Sequence, residues 1–192
     1  MSRTLLLAAL VITLAACTTA RKPDHEEAPS LTEEERQARV ETAQDALVPL
    51  KTGLQGALQE AMQEGPEAAI EVCRLEAPRL ADEASTDGIR VGRTSHRVRN
   101  PGNEPEAWMQ PYLDEFLDEP AQPGTHRETV LDDGRFAYVE PIYMQPMCTA
   151  CHGPREDLVP TIQATLDEQY PDDEATGFEA GDFRGLFWVT LE

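Results

Sequence analysis

Residues 125–144 read THRETVLDDGRFAYVEPIYM: two runs of alternating apolar and polar residues on either side of Asp132-Asp133-Gly134. β-Branched and aromatic side chains alternating across an Asp-Gly turn predict a β-hairpin. Two more stretches have strand character. IRVGRTSHRVR (89–99) reads as a strand running into a basic loop, and FRGLFWVTL (183–191) as a final strand at the end of the chain. These strands do not alternate with helices in the regular way a parallel, doubly wound sheet requires. The pattern predicts an α+β fold, an antiparallel sheet packed against helices.

The helices precede the sheet. SLTE (30–33) matches a capping box, with Ser30 as cap and Glu33 reaching back. The helix it opens is expected to run to about Glu64, with Leu47, Leu50, Leu54, Leu58, Ala61 and Met62 on one side and a kink at Pro49. Gly65-Pro66 ends it and starts another, PEAAIEVCRLEAPRLADEAS. Here Ile70, Cys73, Ala77 and Leu80 form one apolar stripe, and Pro78 is expected to bend the helix. EAWMQPYLDEFLDE (106–119) reads as a short amphipathic helix with Trp108, Tyr112 and Phe116 on one face, interrupted by Pro111. A further helix is expected around residues 158–169.

Directly after the hairpin comes PMCTACHG (146–153). Cys148-Thr-Ala-Cys151-His152 is C-x-x-C-H, the attachment signature of c-type haem. Two thiols three residues apart can add to the two vinyl groups on one porphyrin edge, and the adjacent imidazole can turn to the iron. A structural zinc site would need two more ligands at short spacing, and none is present. A thioredoxin-like dithiol would carry its histidine between the cysteines and open a helix in a βαβ unit. One motif predicts one haem, covalently held by Cys148 and Cys151, with His152 as the proximal iron ligand.

The N-terminus sets the compartment. MSRTLLLAALVITLAAC (1–17) has one charge, Arg3, before a short apolar run, and ends in a lipobox-like LAAC. Residues 1–16 are expected to be a signal peptide, with Cys17 lipidated. Thr18 in place of an aspartate favours the outer membrane over the inner, facing the periplasm. Residues 17–30 then form the lipidated cysteine and a polar, proline-containing tether spanning about 20 Å, with His25 solvated, and residues 31–192 form one domain. The full chain has 16 basic and 36 acidic side chains. Losing residues 1–16 removes one arginine and no acid, which leaves a formal charge of −21. Such a charge excludes nucleic acid as a partner and disfavours anionic lipid. The lipid anchor is then the link to the membrane, and a periplasmic redox or signalling partner is expected.

The opposite face of the iron is less determined. Met62, Met109, Met144, Met147, His96, His126 and Cys73 are candidates. Met144 and Met147 lie too close to His152 in sequence to reach over the ring. Met62 and Met109 read as core, and His96 and His126 as solvated. Cys73 also suits a buried helix stripe. With Cys17, Cys148 and Cys151 accounted for, however, it would be an idle thiol in an oxidising compartment.

Taken in order, AIEVCRLEAP, GIRVGRTSHRVRNPGNEPEAW, EPIYMQPMCTACHG and YPDDEATGFEAGDFRGLFWV resemble the family of single c-type-haem, PAS-like domains, formerly a domain of unknown function. The resemblance covers residues 31–191. It implies a PAS-like antiparallel sheet with N-terminal helices packed against it, and a haem held by the C-x-x-C-H histidine and by a cysteine on a preceding helix. On this chain those are His152 and Cys73. It further implies a redox sensor.

Arg93, Arg97 and Arg99 are candidate partners for the haem propionates, Arg93 foremost because VGRTS belongs to the shared motif. A thiolate opposite histidine predicts a low potential and no open iron position, hence no catalytic activity. The alternatives are a single-haem electron-transfer protein, or a haem enzyme or small-gas binder with an open distal site served by His96 or His126.

Overall fold

Thr32 opens helix α1 (Glu33–Glu64), and its hydroxyl accepts the Glu35 amide at 3.2 Å while the Glu35 carboxylate takes the Thr32 N–H at 2.8 Å. The capping box is therefore T-E-E-E, two residues beyond the expected SLTE, a tetrapeptide that carries the same pattern. The computed structural model describes residues 31–122 and 124–192. The expected signal peptide, Cys17, His25 and Ser30 lie outside the described residues. Thr32 to Glu192 forms one compact unit.

Pro49 lies inside α1, which continues past it to Glu64. Val40, Ala43, Leu47, Leu50 and Leu54 are buried along one side. A buried leucine of this kind is worth about 1.5–3 kcal/mol, enough to carry a helix through a proline. After Gly65 come α2 (Pro66–Glu71), a five-residue π-turn (Val72–Glu76) and α3 (Ala77–Ala84).

Four strands make one antiparallel sheet in the order β1-β4-β3-β2, with β1 Ile89–Thr94, β2 Arg127–Val130, β3 Phe136–Tyr143 and β4 Phe183–Leu191. The hairpin forms as expected: β2 and β3 pair from Arg127↔Val139 to Val130↔Phe136. Gly134 takes φ +87° in the turn, a conformation that suits a residue without Cβ.

Helix α1 covers one sheet face, where Gln44 reaches the Tyr138 hydroxyl at 3.4 Å and Lys51 pairs with Glu140 at 2.5 Å. Helix α4 (Gln110–Asp118) covers the other face, with Leu113 and Phe116 against Val139 and Leu186. Phe136–Val139 are all buried because β3 is central and covered on both sides. Pro111 sits in the first turn of α4, where its missing N–H costs nothing, and does not interrupt it. Met109 is core, 1% exposed. Helices α5 (Thr149–His152) and α6 (Pro160–Gln169) follow the sheet at the end where β3 stops and β4 starts. This is the expected α+β, PAS-like arrangement, an antiparallel sheet with N-terminal helices packed against it.

Candidate functional site

Cys148 ends a 3₁₀ turn and Cys151-His152 close α5, so the three C-x-x-C-H side chains sit on one short helical stretch. Two apolar clusters hold it. Cys148 packs on Met144, Ala175 and Phe178, and Cys151 on Ile70, Leu158, Ile162, Leu166 and Tyr170. Cys73, Cys148 and Cys151 are all free of disulfides.

The His152 ring is fixed by the irregular segment 173–178. Nδ1 lies 2.7 Å from the Ala175 carbonyl oxygen. A carbonyl only accepts, so Nδ1 carries the proton and Nε2 keeps its lone pair. The Phe178 amide donates to the His152 carbonyl at 2.9 Å, and the Gly177 amide to the Gly153 carbonyl at 2.7 Å. Burial, then the Arg99 and Arg184 cations, hold His152 well below its usual pKa, against the Ala175 contact. The ring is therefore neutral, the form that binds a metal.

Cys73 arrives by an irregularity that α-periodicity conceals. Within the π-turn the Ala77 amide bonds the Val72 carbonyl five residues back. One extra residue in the turn offsets the faces on its two sides by about 100°. The single stripe expected from sequence is thus two. Ile70 packs on α6 and Cys151, whereas Ala77 is buried on α3 and Leu80, on the same helix, lies against Gly53 of α1. Cys73, between them, is half-buried rather than core.

Pro78 has no N–H to offer the carbonyls of this turn, and the Cys73 carbonyl instead faces Arg93 Nη2 at 3.5 Å. Burial pushes the Cys151 thiol up to about 11; Arg99 opposes this, while the nearby sulfurs of Cys73 and Cys148 add to it. Cys73 lies on the π-turn that joins Ile70, itself packed against Cys151, to α3.

The three sequence-predicted arginines separate. Arg99 is buried and engaged by the chain itself. Its Nε donates to Asp173 at 3.0 Å, and its Nη2 to the carbonyls of Cys151 at 2.6 Å and Ala175 at 3.2 Å. Arg97 donates to the Glu174 and Thr176 carbonyls and stacks 4.4 Å above Phe178. Arg93 has only its long contact to Cys73 and keeps its other donors free among the described residues.

His96 is not solvated as expected. It stacks on Phe183 at 5.6 Å and meets Phe178 edge-on at 5.8 Å, its Nδ1 buried with no partner among the described residues. His126 stacks on Tyr138 at 5.2 Å and pairs with Glu128, on the far strand of the sheet. Sequence reasoning missed Arg184, which reads as an ordinary outward position of the last strand.

The donor set fits a covalently held haem: two free thiols, an imidazole with an open Nε2, a third free thiol on the π-turn, and guanidinium groups nearby for two carboxylates.

Residues 19–191 match the family described as Tll0287-like, Tll0287. The chain belongs to the Tll0287-like family. Among solved structures it is similar to the crystal structure of the cyanobacterial heme-protein Tll0287, with 24% identity and a TM-score of 0.60, over 83% of this chain and 96% of that one. That likeness shows the fold. No curated protein matches the chain.

Proposed function

We propose that this chain carries one haem, attached through Cys148 and Cys151, with His152 Nε2 and the Cys73 thiolate as iron ligands, and that it senses redox state. Such a haem supplies an iron centre that takes up and returns one electron. The observation that carries this reading is the π-turn, which takes Cys73 out of the α-helical stripe, three residues after the Ile70 that packs on Cys151. Membership of the Tll0287-like family, and the likeness to the cyanobacterial heme-protein Tll0287, support it.

The residues divide the work. Ala175 holds the proximal ring in its tautomer, Arg93 braces the Cys73 carbonyl and presents its remaining donors to a propionate, and Cys73 biases the iron toward the ferric state. A haem held by both His152 and Cys73 would leave no iron site open to a substrate, so we read the chain as a sensor and not an enzyme. The lipobox supports anchoring by Cys17 in a periplasm-facing membrane, outer in preference to inner. A periplasmic partner would relay the signal.

The test is the low-temperature electron paramagnetic resonance spectrum of the ferric, haem-loaded protein beside that of Cys73→Ala. A low-spin thiolate signal lost in the variant is expected. Identical spectra would overturn Cys73 as a ligand. Retention of the same two ligands on reduction with dithionite would favour electron transfer over sensing by ligand exchange.

A further inference from the structure

The pairing of β3 with β4 runs regularly from Phe136↔Leu191 to Ile142↔Gly185, then steps to Tyr143↔Phe183. Arg184 is the residue passed over: it is the extra residue of a β-bulge. Bulges re-aim one side chain out of the strand's alternation. This one is built in from two sides. Gly185 has φ +156°, and a Cβ there would lie 2.1 Å from the Thr94 carbonyl oxygen. The Arg184 carbonyl, left out of the ladder, is satisfied by the Ser95 hydroxyl at 2.7 Å.

The re-aimed guanidinium is half-buried. Its Nη1 donates to Ser95 Oγ at 2.5 Å and to the Arg97 carbonyl at 3.1 Å, and its carbon lies 5.2 Å from the Phe178 ring that also faces His152. Nε and Nη2 have no hydrogen-bond partner among the described residues. No carboxylate of those residues comes within ion-pair distance of it, although the chain carries 36 acids. Burial, with Arg93 and Arg99 nearby, pulls its pKa down to about 10; Asp173 and Cys73 act the other way. A half-buried guanidinium without a counter-anion among the described residues carries a desolvation cost, and a bulge that places it there calls for an anion.

We propose that Arg184 pairs with a propionate carboxylate of the haem, taking the place that sequence gave to Arg97 and Arg99. This rests on the reading of the chain as a haem protein. Its two free donors match the fork of a carboxylate. Arg93, also without a carboxylate partner among the described residues, would serve the second propionate. The cation counters the thiolate, so Arg184 sets the potential upward while Cys73 sets it downward.

The experiment compares haem-loaded wild type with Arg184→Gln and Arg184→Lys, using resonance Raman for the propionate bending modes and spectroelectrochemistry for the midpoint. Arg184→Gln is expected to move the propionate mode and to disfavour the ferrous form about tenfold, a fall of about 59 mV for one electron; Arg184→Lys should recover most of the midpoint but not the mode. An unmoved mode in Arg184→Gln overturns the proposal, whether or not the potential changes, since a shift alone would make Arg184 a distant charge. Should Arg184→Gln fail to fold, Ser95→Ala keeps the charge and removes one group that aims it. The same mode shift is then expected, and its absence is equally fatal. Failure of the wild type to hold haem in a pyridine haemochrome assay would instead strike the haem reading itself.

Discussion

His152 Nδ1 and the Ala175 carbonyl oxygen, 2.7 Å apart, join two segments separated by more than twenty residues. Ala175 has no side-chain chemistry; its carbonyl is placed by Asp173. One Asp173 oxygen takes the Ala175 amide at 2.8 Å and the other takes Arg99 Nε at 3.0 Å, both side chains being under a tenth exposed. The orientation of the His152 ring therefore depends on a buried ion pair that touches neither the ring nor the Cys148 and Cys151 thiols.

Asp173→Ala should consequently be severe. It strands the buried Arg99 cation, a change that costs about 3–5 kcal/mol, and frees the segment that holds His152. Urea unfolding should show a lowered midpoint in the haem-free protein as well. An unchanged midpoint would mean that Arg99 reaches water or another acid.

Gly185→Ala tests the bulge. The substitution brings a Cβ against the Thr94 carbonyl in a backbone region that disfavours side chains. A loss of about 1–3 kcal/mol is expected from strain, read by thermal unfolding. Wild-type stability would show that β4 straightens at no cost.

His96 offers a gain. Its buried Nδ1 lacks a partner, and burial, then Arg184 and Arg97, lower its pKa below 6.5. The unfolded chain therefore takes the proton more readily, so stability is intact above about pH 6.5 and falls as the pH drops below it. His96→Leu should be neutral or stabilising at pH 7 and should flatten that acid limb. Compared in haem-loaded protein, where a ligated His152 would not titrate, a limb as steep as in the wild type would refute this.

Tyr138 acts at the alkaline end. Burial pushes its pKa up to about 12; the Gln44 contact opposes this, while Glu140 and Glu128 reinforce it. The neutral phenol is favoured in the fold, so its contribution is full below about pH 10 and lost as pH rises toward 12. Denaturant titrations from pH 9 to 12 should show a steeper decline for the wild type than for Tyr138→Phe. Parallel curves would count against it.

What the sequence determined by itself is whatever depends on local order. The hairpin at 127–143 and the last strand form where alternation places them, and helices occupy the stretches whose 3.6-residue repeat announces them, because both repeats are properties of neighbouring residues. C-x-x-C-H is local too: three side chains on one turn need no tertiary contact to face one edge.

The tertiary structure decided the other half of the site, and it did so at two one-residue irregularities. The π-turn moves Cys73 out of the stripe that its spacing predicts, and the β-bulge turns Arg184 out of the alternation that hides it. Each costs local hydrogen bonding, recovered from distant groups: Arg93 at the Cys73 carbonyl, Ser95 at the Arg184 carbonyl. Periodicity cannot foresee an extra residue whose only justification is a partner elsewhere in the chain. The same reason separates the arginines: Arg97 and Arg99 look as available as Arg93 until the carbonyls of residues 174–176 and the carboxylate of Asp173 are brought against them.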